Sequence, residues 1–493
     1  MHALKQALDA QRFVCVLEIV PRNVPSQLAR FAQLVQRGHL AGWPLLPAFA
    51  DRVGHHSDLS PLEGAEALGT PASSLLHFSG KDRERADLLR QMDAMQRRGL
   101  TQLLLLSGDR LPGHDPGRAP VRYLESVPAL RIAREHGPDW LLGAALNPFK
   151  YREEERGAQY LKAEKKLLAG ADFLTLQLGF DAARHEEALA WMRTQSHPKP
   201  MLACVMRLTA RRAEVMQGVS GVVVTESLQA CLNFERQASQ AAADARSLQR
   251  LALQIVGLKW MGYAGVHVSG VHTLDDLLAL EQAIVEQRGS LRSLADWRER
   301  WQASWQMPGA PRVAFAPEHD GRERWDMGRS EVVATRRERL RYTVLAAVHD
   351  RLFDRSRWLG RAFGWSVTRP VWQAGIGARA LHAVERAVKR RLLGCDTCGT
   401  CRLQDTLYVC PETCPKGLAN GPCGGTRLNR CEFGDRECVH SVKYRIAKSA
   451  ERLDVLAQTL IPCIENDSRH RSSWPVWFAA EDARQDVEPE PDA

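Results

Sequence analysis

Long apolar runs are missing from this sequence of 493 residues. No stretch reaches the roughly 20 apolar residues that a membrane-spanning helix needs, so we expect no membrane span. The opening segment MHALKQALDAQRF also lacks the apolar core and the small-residue cleavage site of a signal peptide. These absences favour a cytoplasmic protein. A composition of 44% hydrophobic and 25% charged residues excludes a globally disordered or collagen-like chain.

Glycine-rich phosphate-binding motifs are missing as well. No GxGxxG follows the first apolar run and no GxxxxGK[ST] occurs, which argues against a dinucleotide-binding Rossmann half and against a P-loop. The formal net charge of +9 suits a polyanionic ligand or an anionic surface and does not choose among them.

Short apolar runs alternate with amphipathic helical stretches over residues 1–290. The runs are expected strands, and they lie at 13–20, 43–49, 73–78, 101–108, 139–146, 172–178, 199–206 and 264–270. Continuous apolar strands separated by helices are typical of a parallel sheet covered by helices. Eight such units in this length predict an α/β fold of the closed (β/α)8 TIM-barrel type.

Polar side chains follow most of these strands at or just beyond their carboxyl ends. They are Glu18, Asp51, His77, Asp109, Asn147, Gln177 and Asp181. The carboxyl ends of the strands of a parallel barrel share one face, where active sites are found. The pattern therefore predicts a functional mouth at that face.

Residues 291–390 have a different character, with seven tryptophans interleaved with arginine-rich runs. We interpret them as a linker followed by amphipathic helices near 335–352 and 374–393, with the aromatic side chains packed on the barrel and the arginines solvated. A cysteine-rich domain over 391–465, including a helix near 440–461, comes next. The acidic, proline-containing end predicts a disordered tail over 466–493.

Eight of the twelve cysteines fall within 44 residues. They are Cys395, Cys398, Cys401, Cys410, Cys414, Cys423, Cys431 and Cys438. In a long chain without a secretion signal this density favours metal binding over disulfides. Eight thiolates would complete two four-thiolate sites. Iron–sulfur clusters, of the [4Fe–4S] type, and zinc in one or both sites both remain open. Cys15 and Cys204 lie in apolar strands and are expected in the core.

The runs FVCVLEIVPR, LLLLSGDR, GAALNP and AGADFLTLQLGFD resemble, in order and spacing, the methylenetetrahydrofolate reductase barrel. GLKWMGYAGVHVSG resembles the last strand of that family. Separately, CPKGLANGPCGG with its flanking cysteines resembles the cysteine-rich domain found beside or fused to some of these reductases. The two likenesses cover roughly residues 10–290 and the cysteine cluster.

The resemblance implies a flavoprotein that reduces 5,10-methylenetetrahydrofolate to 5-methyltetrahydrofolate with bound FAD. Glu18 matches the family's general acid, Asp109 the aspartate near flavin and pterin, and Gln177 the glutamine that binds the pterin. Expected FAD contacts, which lie at matching or nearby positions, are Asp51, His77, Asp109, Asn147 and Lys166. A carboxyl group at a barrel mouth that flavin and pterin partly desolvate can hold a proton near neutrality, as a general acid must.

Departures from the family pattern leave the electron donor open. The end of the second strand reads AFADRV, where the family more usually has a threonine. The fifth strand ends AALNP, where a tyrosine often precedes the proline. The seventh strand, ACVMRL, lacks the usual proline–glycine ending. The donor is therefore either NAD(P)H or a ferredoxin-like carrier that acts through the cysteine-rich domain. The sequence allows a homo-oligomer. A nucleic-acid partner is not expected, because the cysteine module is poor in basic and aromatic residues.

A second interpretation comes from another functional class. The chain could be a non-reducing partner in one-carbon or methyl transfer, in which the cysteine-rich domain is a structural zinc module. Bound flavin discriminates between the two interpretations, because only the reductase requires it.

Overall fold

The computed structural model describes residues 3–52, 58–70, 73–111, 123–306, 308–310, 312–317 and 332–485. Its strands are β1 Val14–Ile19, β2 His39–Leu40, β3 Trp43–Phe49, β4 Leu75–Ser79, β5 Gln102–Leu106, β6 Leu141–Leu146, β7 Phe173–Leu176, β8 Met201–Met206 and β9 Gly265–Ser269. All eight strands expected from the sequence are present, with ends that shift by at most two residues.

The sheet closes on itself. Strand β1 pairs in parallel with both β3 and β9, and the remaining parallel pairs follow chain order from β3 to β9. The two-residue strand β2 pairs antiparallel with β3 and lies outside this ring. The predicted (β/α)8 barrel is therefore confirmed.

Helices surround the barrel and continue beyond it. In the barrel region they are α1 Ala3–Asp9, α2 Pro25–Gln36, α3 Pro61–Ala67, α4 Arg85–Gln96, α5 Ser126–His136, α6 Glu153–Leu168, α7 Ala182–Arg193, α8 Ala210–Met216, α9 Glu226–Ala238, α10 Gln240–Met261 and α11 Leu274–Ser290. After it come α12 Leu294–Ser304, α13 Arg336–Leu352, α14 Trp358–Val367, α15 Gly375–Leu393, α16 Val439–Ser449, α17 Leu453–Gln458 and α18 Trp474–Gln485. Among the described residues no helix is long and apolar enough to cross a membrane.

Alternation along the strands separates two apolar clusters. Val14 and Val16 of β1 face the barrel lumen, where they join Leu104, Phe173 and other inward residues above helix α1. Their neighbours in sequence face outward and pack under the surrounding helices. Because side chains alternate faces along a strand, the lumen positions of each strand can be identified by a step of two.

Helix α12 extends the packed barrel past residue 290, where the sequence predicts the linker to begin. Trp297, Trp301 and Trp305 are buried against the outer apolar cluster, as expected for aromatic residues that pack on the barrel. Trp358 and Trp365, by contrast, are exposed. The barrel therefore includes α12, and only the first part of the tryptophan-rich segment packs onto it.

The prediction of a disordered tail over 466–493 is wrong for residues 474–485. Residues 474–485 form helix α18, and Phe478 is fully buried against Phe353 and Phe363. Only residues 486–493 of the predicted tail lie outside the described residues. The expected helix near 440–461 is divided into α16 and α17. Apolar aromatic residues before the acidic end explain the error, because they supply a packing face that composition alone does not reveal.

Replacing Trp297 with alanine tests the role of α12. Its side chain is 1% exposed, and its indole Nε1 donates to the Leu253 carbonyl at 2.7 Å. Loss of a buried tryptophan costs about 3–5 kcal/mol, so we expect Trp297→Ala to lower the thermal midpoint by roughly 6 °C or more.

Scanning calorimetry checks this result against Trp358→Ala, which removes an exposed tryptophan. That control is expected to change stability by about 0.5 kcal/mol or less. Equal effects of the two substitutions would show that α12 is not part of the barrel's stable core.

Candidate active site beneath the cysteine-rich domain

A polar layer lies in the lumen above the apolar one. Glu18, at the end of β1, is half-buried and accepts a hydrogen bond from the Ser269 hydroxyl at the end of β9. His77 of β4 and His267 of β9 meet across the lumen, with ring centroids 5.4 Å apart. Cys204 of β8 lies close enough to Glu18 for the carboxylate to contribute, after burial, to its raised pKa.

Several buried polar atoms of this layer have no hydrogen-bond partner within the described structure. They are His77 Nε2, Ser79 Oγ, Thr175 Oγ1 and both ring nitrogens of His267. Burial and the neighbouring His267 lower the pKa of His77 to about 3, so its imidazole is neutral at physiological pH. An unpaired buried polar atom costs about 1–3 kcal/mol. The layer is therefore suited to a polar ligand that would satisfy these atoms.

Asp109 belongs to a second group, at the rim of the barrel. Asp109 is exposed at one side, but neighbouring residues desolvate its carboxyl group and raise its pKa. Lys416 opposes this shift and Glu432 reinforces it. Lys416 donates to the Gly108 carbonyl at 2.8 Å and pairs with Glu432. Glu432 also accepts from the Arg110 backbone N–H at 2.6 Å. The loop after β5 is thereby fixed to the cysteine-rich domain.

Asn147 and Gln177 also lie on this rim. The Asn147 amide donates to the carbonyls of Gly221 and Gly424, each at 2.9 Å, so it joins the barrel to the cysteine-rich domain. The Gln177 amide donates to the Ser220 carbonyl at 3.4 Å, and its oxygen accepts from the Leu178 N–H. The structure therefore groups Asp109, Asn147 and Gln177 at the rim and places Glu18 and His77 in the lumen.

Asp51 and Lys166 are engaged elsewhere. Asp51 accepts from the Ser79 N–H at 2.9 Å and pairs with Arg83 at 2.6 Å. Lys166 is buried in α6 and donates to the Ala145 carbonyl of β6, and burial lowers its pKa to about 7. Lys166 thus lies in the barrel wall and not at the mouth, and neither side chain presents its charge to a cofactor here.

The cysteine-rich domain packs on α6 through a buried ion pair. Glu125 pairs with Lys162 at 2.7 Å and accepts three hydrogen bonds, each 3.0 Å, from Ala419 and Asn420. Burial opposes ionisation of Glu125, but Lys162 and the Asn420 donors outweigh it and lower the pKa to about 2. Lys162 also donates to the Gly421 and Pro422 carbonyls. This buried pair of the barrel therefore binds the 419–422 segment of the cysteine-rich domain, and the ion pairs of Lys448 with Glu153 and of Arg445 with Glu154 add to the same interface.

The eight clustered cysteines divide into two sets. The outer thiol set is Cys395, Cys398, Cys401 and Cys410, in which Cys395 hydrogen-bonds Cys410. The inner thiol set is Cys414, Cys423, Cys431 and Cys438, and all four line one small hollow of about 20 Å³. The inner set lies next to the barrel rim, because the Cys423 carbonyl accepts from Gln159 of α6 at 2.7 Å. The eight thiols thus form two groups of four in space.

The thiols are not arranged around a single ion. Within the described ranges, no group of three or more His, Cys, Asp or Glu side chains could hold one metal ion. A [4Fe–4S] cluster has a different requirement, since each of its four thiolates binds a separate iron. Four thiols around a hollow agree with that requirement.

Several site residues were not found from the sequence. His267 and Ser269 lie two residues apart on the last strand and both face the lumen. The alternation of side chains along that strand could have identified them. Glu125, Lys162 and Glu432 carry no local signal. Their roles arise only because the cysteine-rich domain lies against the barrel.

The fold and this site define a parallel α/β barrel with a cysteine-rich domain over part of its mouth. Residues 65–285 match the family "Methylenetetrahydrofolate reductase", and residues 377–467 match "Methylene-tetrahydrofolate reductase C terminal". The chain therefore belongs to the methylenetetrahydrofolate reductase family. The likeness of both halves is thereby confirmed.

Individual relatives are more distant. A "Probable methylenetetrahydrofolate reductase (NADPH)" of Caenorhabditis elegans is 25% identical over 217 residues, which cover 41% of this chain and 32% of that protein. The chain thus spans about a third of that relative. A solved protein of Clostridium thermocellum, described as binding two copies of 5-methyl-5,6,7,8-tetrahydrofolic acid, is similar at a TM-score of 0.43 and 12% identity over 58% of this chain and 99% of that one. A 2,3-dimethylmalate lyase is similar at a TM-score of 0.34 and 14% identity, over 61% of this chain and 94% of that one.

The Glu125 carboxylate predicts a pH-dependent domain interface. Its folded pKa of about 2 lies below the ordinary 4.5, so its stabilisation is complete above pH 4.5 and is lost as the pH falls through about 2. We expect Glu125→Gln to cost about 3 kcal/mol at pH 7 and about 1.5 kcal/mol at pH 3.

Thermal unfolding at both pH values measures this difference. Glu135→Gln is the matched control, because Glu135 is exposed and its pair with Arg131 is worth less than about 0.5 kcal/mol. A loss that is the same at pH 7 and pH 3 would contradict an ionised Glu125 at the interface.

Proposed function

We propose that this chain is a flavin-dependent enzyme that reduces 5,10-methylenetetrahydrofolate to 5-methyltetrahydrofolate. Membership of the family supports the substrate class. The observation that carries the proposal is Glu18, a carboxyl group held by Ser269 in a polar lumen layer in which several buried polar atoms have no partner among the described residues. A half-buried carboxyl group above an apolar barrel core costs free energy to desolvate unless it is paired or used in chemistry.

Glu18 is the proposed general acid. The substrate becomes reactive when N10 is protonated and the five-membered ring opens to a 5-iminium cation. Ser269 donates to Glu18 Oε2, which leaves Oε1 as the oxygen that carries the proton to be delivered. General acids of this kind contribute about 10²–10⁴ in rate. Asp109, with its carboxylate at the rim, favours the positive charge that develops on the folate.

The lumen and rim suit a flavin, which would supply a hydride to the one-carbon unit. His77 is the side chain proposed to contact it, since its neutral imidazole has an unpaired Nε2. Gln177 is proposed to hydrogen-bond the pterin, because an amide has both a donor and an acceptor. Asn147 is proposed to shape the rim through its bonds to Gly221 and Gly424. Asp51 would act indirectly, by fixing the end of β4.

The cysteine-rich domain is proposed to bring electrons to this site. Its two thiol sets suit iron–sulfur clusters, which would accept and release single electrons. Zinc in both sets would instead make the domain a structural module. Lys416, beside the inner thiol set, contacts the loop that bears Asp109, and this contact supports electron entry through the domain in place of NAD(P)H.

Substitution of Glu18 tests the proposal. We expect Glu18→Gln to retain flavin at about one per chain and to reduce methylenetetrahydrofolate at least about 100-fold more slowly, because the amide cannot donate a proton. Flavin absorbance and anaerobic turnover with a chemical reductant measure both quantities.

Glu299→Gln, on the exposed surface of α12, is the matched control and should keep full turnover. Unchanged turnover in Glu18→Gln would assign the acid to another residue. Absence of flavin from anaerobically purified wild-type protein, together with zinc in place of iron, would favour the non-reducing one-carbon partner instead.

A further inference from the structure

The positive charge of the chain is concentrated in one segment. Residues 335–394 contain fourteen arginines and lysines against four aspartates and glutamates, a net formal charge of +10, while the whole chain carries +9. The rest of the sequence is thus close to neutral. Twelve of those fourteen basic side chains are exposed. This surface on α13, α14 and α15 is called the cationic face below.

Two helices of the cationic face also expose apolar rows. Leu340, Val344 and Val348 follow one another at four-residue steps on α13, and Val384, Val388 and Leu392 do so on α15. Residues four apart lie on the same side of a helix, so each row is a continuous ridge. Exposed apolar ridges of this kind mark contact surfaces.

The cationic face adjoins the outer thiol set. A hollow of about 300 Å³ lies between α13 and the end of α15, and Arg341, Leu392 and Cys410 are among its lining residues. Helix α15 ends directly before Cys395, and its Lys389 donates to the Cys401 sulfur at 3.6 Å. A molecule bound at this hollow is therefore next to the outer thiol set.

We propose that the cationic face docks an acidic one-electron carrier protein, which would deliver electrons to an iron–sulfur cluster held by the outer thiol set. This inference rests on the proposed function. Charge complementarity specifies an acidic occupant, and the hollow beside the thiols specifies a redox one. A second copy of the chain that docked through the same surface would place two cationic faces, each with a net formal charge of +10, against each other. A bilayer is flat and does not fill a concave hollow, and nucleic acid would leave the apolar ridges uncovered.

The electron balance requires two docking events in each turnover. Reduction of methylenetetrahydrofolate to methyltetrahydrofolate takes two electrons and two protons. Each carrier protein is oxidised by one electron, so two reduced carriers are consumed for each methyl group formed, and water supplies the protons.

The test uses a reduced plant-type [2Fe–2S] ferredoxin and a charge-reversed variant of the full chain. Arg337 and Arg341 are exposed and form no ion pair in the described part of the chain. We expect Arg337→Glu/Arg341→Glu to raise the KM for ferredoxin and the Kd from calorimetry at least about tenfold, and to flatten their dependence on salt. Turnover with reduced methyl viologen, a small dye that needs no docking, is expected to stay unchanged.

The matched control is Arg12→Glu/Arg97→Glu, which makes the same charge change at exposed positions near the opposite end of the barrel. Equal Kd and KM values for the control and the test variant would overturn the docking proposal. So would a test variant that loses affinity for anionic vesicles or single-stranded DNA and not for ferredoxin. Absence of viologen-driven turnover in wild type would instead refute the proposed function, and the calorimetric Kd would still report on docking.

Discussion

The buried Glu125–Lys162 pair is the interaction on which the two-domain arrangement depends. It places an ionised acid and its base at the start of α5 and along α6, and both also bind backbone groups of residues 419–422. A buried charge is tolerated only when its partners are complete. The two charges pair with each other inside the barrel, and the hydrogen bonds that they form with residues 419–422 favour the observed orientation of the cysteine-rich domain, because another placement would remove those bonds.

This arrangement places the cysteine-rich domain against residues of the barrel mouth. Asn147 and the loop of Asp109, which the family likeness assigns to cofactor and substrate, also contact the cysteine-rich domain. The inner thiol set consequently lies beside the rim, and the outer set lies toward the cationic face. The cationic face, the outer thiol set, the inner thiol set and the polar lumen thus follow one another in space.

The sequence predicts the barrel well because strand alternation and helix spacing are local properties. It also predicts Glu18 and His77 at the carboxyl ends of their strands, and the structure shows that a step of two along β1 and β4 turns both side chains into the lumen. It does not predict the location of Lys166, because a lysine on a charged helix has the same local pattern whether it faces solvent or a carbonyl. Helix α18 was missed for a related reason, as its packing partners are more than a hundred residues away.

The central claim is that the docked domain exchanges electrons with the barrel, and one anaerobic experiment tests it. Oxidised protein carrying flavin and iron is mixed with 5-methyltetrahydrofolate, and its visible spectrum is recorded with time. The account predicts that flavin absorbance bleaches first and that iron–sulfur absorbance then falls within the same molecule. Bleached flavin beside an unchanged iron–sulfur spectrum would contradict it.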